Sequence, residues 1–275
     1  MRSRTTVFST AAVCAMLLGC GQSVTDVANN DRPSLVTHGT IDNNLHPAVV
    51  LLLMDSAGKP AYRCTGTVIA PRLVLTAGHC SGAPGEFSGM RIFTESDVQN
   101  GNNNYPNAGP NTIEATAWHT HPLYTSANFS RHDVGVVVLS ADAPVAASAY
   151  GRLPAANSLD GLQRGNATRF TSVGYGLQRV NPVKLEAQKV RMFAEPRLIQ
   201  INTPGFTGDF SLLLSNNAST GGTCFGDSGG PNYLGSSNVI AGVTSFGLNG
   251  SCGGTGGVFR VDRQNVLDFV NQYLP

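Results

Sequence analysis

The sequence predicts an all-β protein of paired antiparallel barrels, followed by one C-terminal helix. Three observations carry that prediction. Glycine is present in 32 copies among 275 residues and charged residues make up 13%, against about 7% and roughly 25% in an average soluble domain. This composition suits a chain of many tight turns. Short apolar runs rich in β-branched residues recur between clusters of Gly, Pro, Asn and Ser, as strands do. A helical period is evident at the C-terminus alone, and many strands followed by one helix favour paired barrels over a βαβ design.

In chain order, the expected strands cover Ala48 to Met54, Thr67 to Ile69, Leu73 to Leu75, Val134 to Leu139, Phe170 to Val173, Leu212 to Leu214 and Val239 to Val243. The helix is expected where Val266, Phe269, Val270 and Tyr273 fall at i, i+3, i+4 and i+7, one face of a 3.6-residue repeat that would pack on a barrel. Asp97 to Thr112 is dense in Asn and Gly and reads as an exposed surface loop. Ala146 to Arg164 is expected to carry the chain from one half to the other. The length suffices for one large domain or two small ones. A net charge of +1, with no stripe of Lys and Arg, argues against a nucleic-acid partner.

The N-terminus reads as an export signal: Arg2 and Arg4 form a basic start, and Val7 to Leu18 is mostly apolar. That run is too short to span a membrane as a mature helix. It ends in Leu17-Leu18-Gly19-Cys20, which resembles the lipobox of bacterial lipoproteins, and the resemblance implies lipidation at Cys20. Residues 1–20 are thus assigned to the signal, and 21–34 to a flexible tether or propeptide. Apart from Cys14 and Cys20, the cysteines are Cys64, Cys80, Cys224 and Cys252. No closely spaced pair suggests zinc, and an exported protein retains disulfides, so two bridges are expected, with three pairings open.

Two motifs carry the chemistry. Gly226-Asp227-Ser228-Gly229-Gly230-Pro231 presents a serine between glycines, and Thr76-Ala77-Gly78-His79-Cys80 presents a histidine far upstream. A serine hydroxyl attacks a carbonyl when a base takes its proton and nearby donors hold the oxyanion. Together with the strand Val68 to Thr76, the segment His132-Asp133 to Leu139, Val173-Gly174-Tyr175-Gly176 and Thr244-Ser245-Phe246-Gly247, these motifs resemble the trypsin/chymotrypsin family of serine proteases. The resemblance runs from about residue 35 to the C-terminus. Gly78 stands where the family usually has a second alanine.

That resemblance implies two six-stranded barrels, at about 35–145 and 150–262, with a terminal helix at 263–274. It implies a serine endopeptidase with Ser228 as nucleophile, His79 as base and Asp133 orienting the imidazole, the amides of Gly226 and Ser228 as oxyanion hole, and Ser245, Phe246 and Gly247 pairing with substrate backbone. It also implies the pairings Cys64–Cys80 and Cys224–Cys252, and a pocket at Gly222, Thr223, Gly247 and Gly257. Gly222 stands where trypsins carry an aspartate. A floor without an anion gives a buried ammonium no partner, so apolar or aromatic side chains are expected in place of basic ones. Asp227 matches the residue that binds the ammonium of a newly cut N-terminus. Leu35-Val36-Thr37-His38-Gly39 resembles that start with one extra residue, and Arg32-Pro33 offers no basic cleavage point directly before it.

No metal or organic cofactor is expected. His119 and His121 lack a third ligand; His132 is expected to point away from the face of Asp133; His38 and His46 are assigned to the surface. Glu86, Glu95 and Asp97 read as solvated carboxylates. Protein or peptide substrates are the expected partners of a monomer, touching membrane only through Cys20. The rival readings are an inactive protease-shaped binding module and an esterase using the same three residues.

Overall fold

A computed structural model describes residues 38–129, 131–181 and 184–275. The signal and tether assignments, Cys20, Leu35 and Val36 lie outside the described residues. The strands are β1 (Thr40–Ile41), β2 (Val49–Ser56), β3 (Lys59–Ala70), β4 (Leu73–Thr76), β5 (Gly89–Phe93), β6 (Thr112–Thr120), β7 (Gly135–Leu139), β8 (Gly165–Gly174), β9 (Arg179–Asn181), β10 (Lys184–Glu186), β11 (Met192–Ala194), β12 (Arg197–Thr203), β13 (Gly208–Asn216), β14 (Pro231–Leu234), β15 (Ile240–Gly247) and β16 (Gly254–Arg260). A short helical turn, α1 (Gly78–Ser81), follows β4, and α2 (Gln264–Asn271) follows the last strand.

Two closed six-stranded antiparallel barrels result. The first runs β2-β3-β4-β7-β6-β5. In the second, β8, β12, β13, β16, β15 and β14 follow one another, and a β8–β14 pairing closes the ring. Closure leaves no open edge within either ring, while β1 and β11 extend the second sheet from β8 and β9 pairs with β10 apart from both rings. β2 explains its continuous apolar run: Val49 to Met54 is buried on both faces, the pattern of a strand with no solvent side. The main core joins Val50, Leu75 and Val137 of the first barrel to Val173, Tyr175 and Phe259 of the second, and α2 adds Val266, Phe269 and Val270. A smaller cluster of Phe170, Leu198, Leu212, Leu214 and Val258 fills the second barrel.

The polar contacts correct two expectations. His46 is not a free surface residue: its ring bonds the fully buried carboxylate of Asp42 and stacks on Tyr233. Asp42 in turn receives Arg191 Nε at 2.7 Å, while Arg191 Nη1 donates to the Val49 carbonyl at 2.8 Å. Burial pushes the Asp42 carboxyl up, but the His46 hydrogen bond and the Arg191 charge outweigh it and hold the group below the usual range. The polar stretch 97–112 is largely exposed, as expected, but Glu95 beside it is not a free carboxylate. Asn103 is buried and donates to Glu95 at 2.6 Å, and Glu95 accepts the Asn102 amide at 2.9 Å. Glu95 organises this loop instead of facing water.

Candidate active site

Strand register brings His79 and Asp133 together. Thr76 at the end of β4 pairs with Gly135 at the start of β7, so the turn after one strand and the residues before the other meet at the same barrel end. Asp133 is fully buried. Its carboxylate lies 2.9 and 3.1 Å from His79 Nδ1 and accepts the His79 backbone N–H at 2.9 Å. The hydroxyl of Ser245 donates to it from the second barrel. A β-carbon at Gly78 would lie 3.2 Å from Asp133 Oδ1 and 3.1 Å from Tyr124, so an alanine there would need its neighbours to give by a few tenths of an ångström. Burial pulls the pKa of His79 down, but the charge and hydrogen bond of Asp133 more than reverse this and leave it above the ordinary histidine value.

Ser228 sits on a turn laced to both barrels. Its carbonyl accepts the Thr65 N–H of β3 at 2.8 Å, and the next amide, Gly229, donates to Thr244 of β15 at 2.8 Å. The Thr65 hydroxyl donates to Gly226 O at 2.9 Å. Cys64, beside Thr65, is disulfide-bonded to Cys80, beside His79. Gly229 adopts φ of 78°, and a β-carbon there would lie 2.8 Å from the Ala77 nitrogen. No side chain fits that position, so the serine turn packs directly against the turn carrying His79. Among the described residues, no hydrogen bond joins Ser228 Oγ to His79 Nε2, and the N–H groups of Gly226 and Ser228 donate to no protein acceptor.

Asp227 turns inward between these residues and is fully buried. Its two oxygens accept the amides of Gly176 and Cys224, each at 2.8 Å. The glycines flanking Tyr175 now have a reason: a β-carbon on Gly174 would lie 3.0 Å from Asp227 Cγ, and one on Gly176 would lie 2.8 Å from its backbone nitrogen. Burial pushes the Asp227 carboxyl up to about 6, against the pull of the two amides and of Arg63. The start of the described chain lies against the turn that precedes Ser228: the His38 carbonyl is 3.0 Å from where a Gly221 β-carbon would be.

The expected pocket residues separate into two sets. Gly247 and Gly256 are cross-strand partners, and a β-carbon on Gly256 would meet Thr223 Oγ1 at 3.2 Å. Gly257 pairs instead with Phe246, whose ring covers it: Phe246 Cζ would be 2.5 Å from a Gly257 β-carbon. Directly paired residues share a sheet face and successive residues alternate, so Gly256, not Gly257, belongs with Thr223 and Gly247. Cys224 is bonded to Cys252, fixing the serine turn to the β15–β16 loop.

The remaining histidines form no metal centre among the described residues. His121 stacks on His132 with centroids 4.8 Å apart, and His119 stacks on Tyr273 at 4.6 Å. His132 faces Asn265 of α2, which lies 3.1 Å from its Nδ1. Among the described residues the cluster of potential ligands is Cys64, His79 and Cys80, which contains the disulfide and so offers no thiolate. A cavity of about 1320 Å³ runs from His79 past Glu86, Trp118 and His119 to Tyr273, and does not reach Ser228. Sequence reasoning missed the side-chain contact of Ser245 with Asp133, the placement of Arg63 near Asp227, and Asn216 beneath Gly222. The first two join segments remote in sequence, the third folds the end of β13 back onto the turn that follows it, and no local motif announces them.

The trypsin family profile matches residues 36–270. Brachyurin of Leptuca pugilator is 28% identical over 195 residues, covering 70% of this chain and 78% of that protein. A chymotrypsin of Phaedon cochleariae is 28% identical over 225 residues, 76% of this chain and 71% of its own. Among solved structures, HL collagenase superposes with a TM-score of 0.66 at 20% identity, over 86% of this chain and 96% of the other. Human heparin binding protein superposes with a TM-score of 0.61 at 21% identity, over 85% and 93%. Identities this low speak for a shared fold. Matched over most of its length and folded as two closed barrels, the chain belongs to the trypsin family of serine proteases and is a serine endopeptidase.

Proposed function

We propose that cleavage proceeds through an acyl-enzyme on Ser228, with His79 as general base and acid and Asp133 as the group that orients it. The observation that carries this reading is the hold of Asp133 on His79 Nδ1, which leaves Nε2 as the nitrogen available to Ser228. His79 Nε2 takes the hydroxyl proton as Oγ bonds the carbonyl carbon and the carbonyl electron pair moves onto oxygen. The N–H groups of Gly226 and Ser228, uncommitted among the described residues, receive that oxyanion. Collapse breaks the C–N bond, and the amine leaves with the proton from His79. Water then repeats the sequence, with His79 taking its proton and Ser228 recovering its own.

The pocket at Gly222, Thr223, Gly247 and Gly256 holds no acidic side chain, which supports cleavage after apolar or aromatic residues in preference to basic ones. Asp227 supports an activation step. A buried carboxylate whose pKa is raised to about 6 gains from an ammonium brought beside it, and a chain end at Leu35 or Val36 would supply one. Two disulfides and the N-terminal apolar run support export.

A panel of internally quenched peptides, run beside simple esters, tests the reading. Wild type is expected to cleave peptides, and Ser228→Ala to fall by at least 10³-fold. Ester turnover without peptide turnover would favour the esterase reading. Turnover of neither, after every N-terminal trimming, would favour a binding module.

A further inference from the structure

We propose that Asn216, not residue 222, is the side chain that sets the chemistry at the floor of the substrate pocket. The inference rests on the pocket of the proposed function and adds the residue that determines its selectivity. On β13, Leu212, Leu214 and Asn216 alternate onto one face, and the first two are buried in the barrel core. Leu214 pairs with Gly256 and Asn216 with Gly254, while Gly256 pairs with Gly247. Asn216 therefore shares a sheet face with Gly247 and Gly256, the two glycines on the Thr223 side of the pocket.

Its position relative to Gly222 sharpens this placement. A β-carbon on Gly222 would fall 2.6 Å from Asn216 Cβ and closer still to its carboxamide. The space that a side chain at 222 would fill is thus already taken by Asn216. The amide is buried, and its Nδ2 donates to the Thr223 carbonyl at 2.8 Å, which fixes it against the turn leading to Ser228. A neutral carboxamide gives an arriving ammonium or guanidinium a dipole but no counter-charge, so a basic side chain enters at the cost of its hydration. Uncharged side chains carry no such cost. With Asn216 in place, residue 222 has no room to bring an anion to this floor.

The test uses the full chain and peptides that differ only in the residue before the cleaved bond: Phe, Trp or Arg. In wild type, kcat/KM for Phe is expected to exceed that for Arg at least tenfold. Asn216→Asp should raise the Arg-to-Phe ratio at least 30-fold. Asn216→Ala, which needs no new charge to be buried and covers the case in which the aspartate variant misfolds, should raise the Trp-to-Phe ratio at least threefold by deepening the floor. Each variant is first checked for wild-type labelling by a fluorophosphonate. A labelled variant whose ratios stay within twofold of wild type overturns the assignment of Asn216 alone. Failure of wild type itself to label overturns the reading of Ser228 and this inference with it.

Discussion

Ser245 donates its hydroxyl hydrogen to the Asp133 oxygen that His79 Nδ1 approaches at 2.9 Å. One barrel thus supplies the imidazole and carboxylate, and the other a donor that satisfies the carboxylate. Hydrogen bonds to charged groups contribute roughly 1.5–3 kcal/mol. Ser245→Ala is accordingly expected to lower kcat/KM by about tenfold or more. With one donor gone, Asp133 should hold the imidazolium more tightly, so the acid limb of the pH–rate profile moves upward. A drop in kcat/KM with an unmoved limb would mean that Ser245 acts only through substrate.

In the proposed mechanism the pH dependence of activity follows from His79. Its pKa lies above the ordinary histidine value because Asp133 outweighs burial, and only the neutral imidazole accepts the Ser228 proton. Below that raised pKa, kcat/KM should fall about tenfold per pH unit. A steady-state profile between about pH 5 and 8 checks this, and a flat profile would contradict it. The same shift makes His79 contribute stability below about pH 6.5, lost as pH rises through its folded-state value.

Asp227 gives stability a second pH window. The folded state binds its proton at about pH 6 against an ordinary value of 3.8, so stability should decline as pH rises between those values, by about 3 kcal/mol at neutral pH. Denaturant midpoints measured from pH 4 to 7 should show that decline in the wild-type protein and not in Asp227→Asn. A chain end that binds Asp227 would recover part of the loss, and trimming at residue 35 or 36 should flatten the same curve.

Gly176→Ala probes the seat of Asp227. The added methyl would meet both the Asp227 carboxyl and its backbone nitrogen, forcing the serine turn outward. Loss of one oxyanion donor typically costs about 10²–10³ in rate. A fall of that size in kcat, with the fold retained by circular dichroism, is the expected result. Near-wild-type turnover would mean that the turn tolerates displacement.

Arg191 and Asp42 form a fully buried ion pair between segments 149 residues apart in sequence. Arg191→Met leaves the carboxylate without its main counter-charge and should cost roughly 3–5 kcal/mol. The double variant Asp42→Asn/Arg191→Met should recover much of it. Equilibrium urea unfolding distinguishes this coupling from simple additivity.

The motifs around His79, Asp133 and Ser228 were legible because local backbone demands surround them. Gly229 must pack on Ala77, Gly176 must admit Asp227, and β4 must end beside β7, so the residues around each functional side chain are constrained as well. The wall of the proposed pocket differs from the expected one by one residue. β15 and β16 shift register between Thr244 and Phe246, and one step along a strand exchanges the faces of Gly256 and Gly257. Ser245 and the Asp42–Arg191 pair left no local signal, since each acts across a contact between segments far apart in the chain, and Asn216 meets Thr223 only through the fold-back of the chain after β13. His46 was misplaced for the same reason: its partner Asp42 is buried by Arg191, far along the chain.

The central claim is that Ser228 is the nucleophile, activated by His79. Its most direct test is peptide mapping by mass spectrometry after reaction with a fluorophosphonate. A single adduct is expected on Ser228 in the wild-type protein, with labelling slowed at least 10³-fold in His79→Ala and absent in Ser228→Ala. An adduct elsewhere, or labelling of Ser228 that proceeds at the same rate without His79, would contradict the claim.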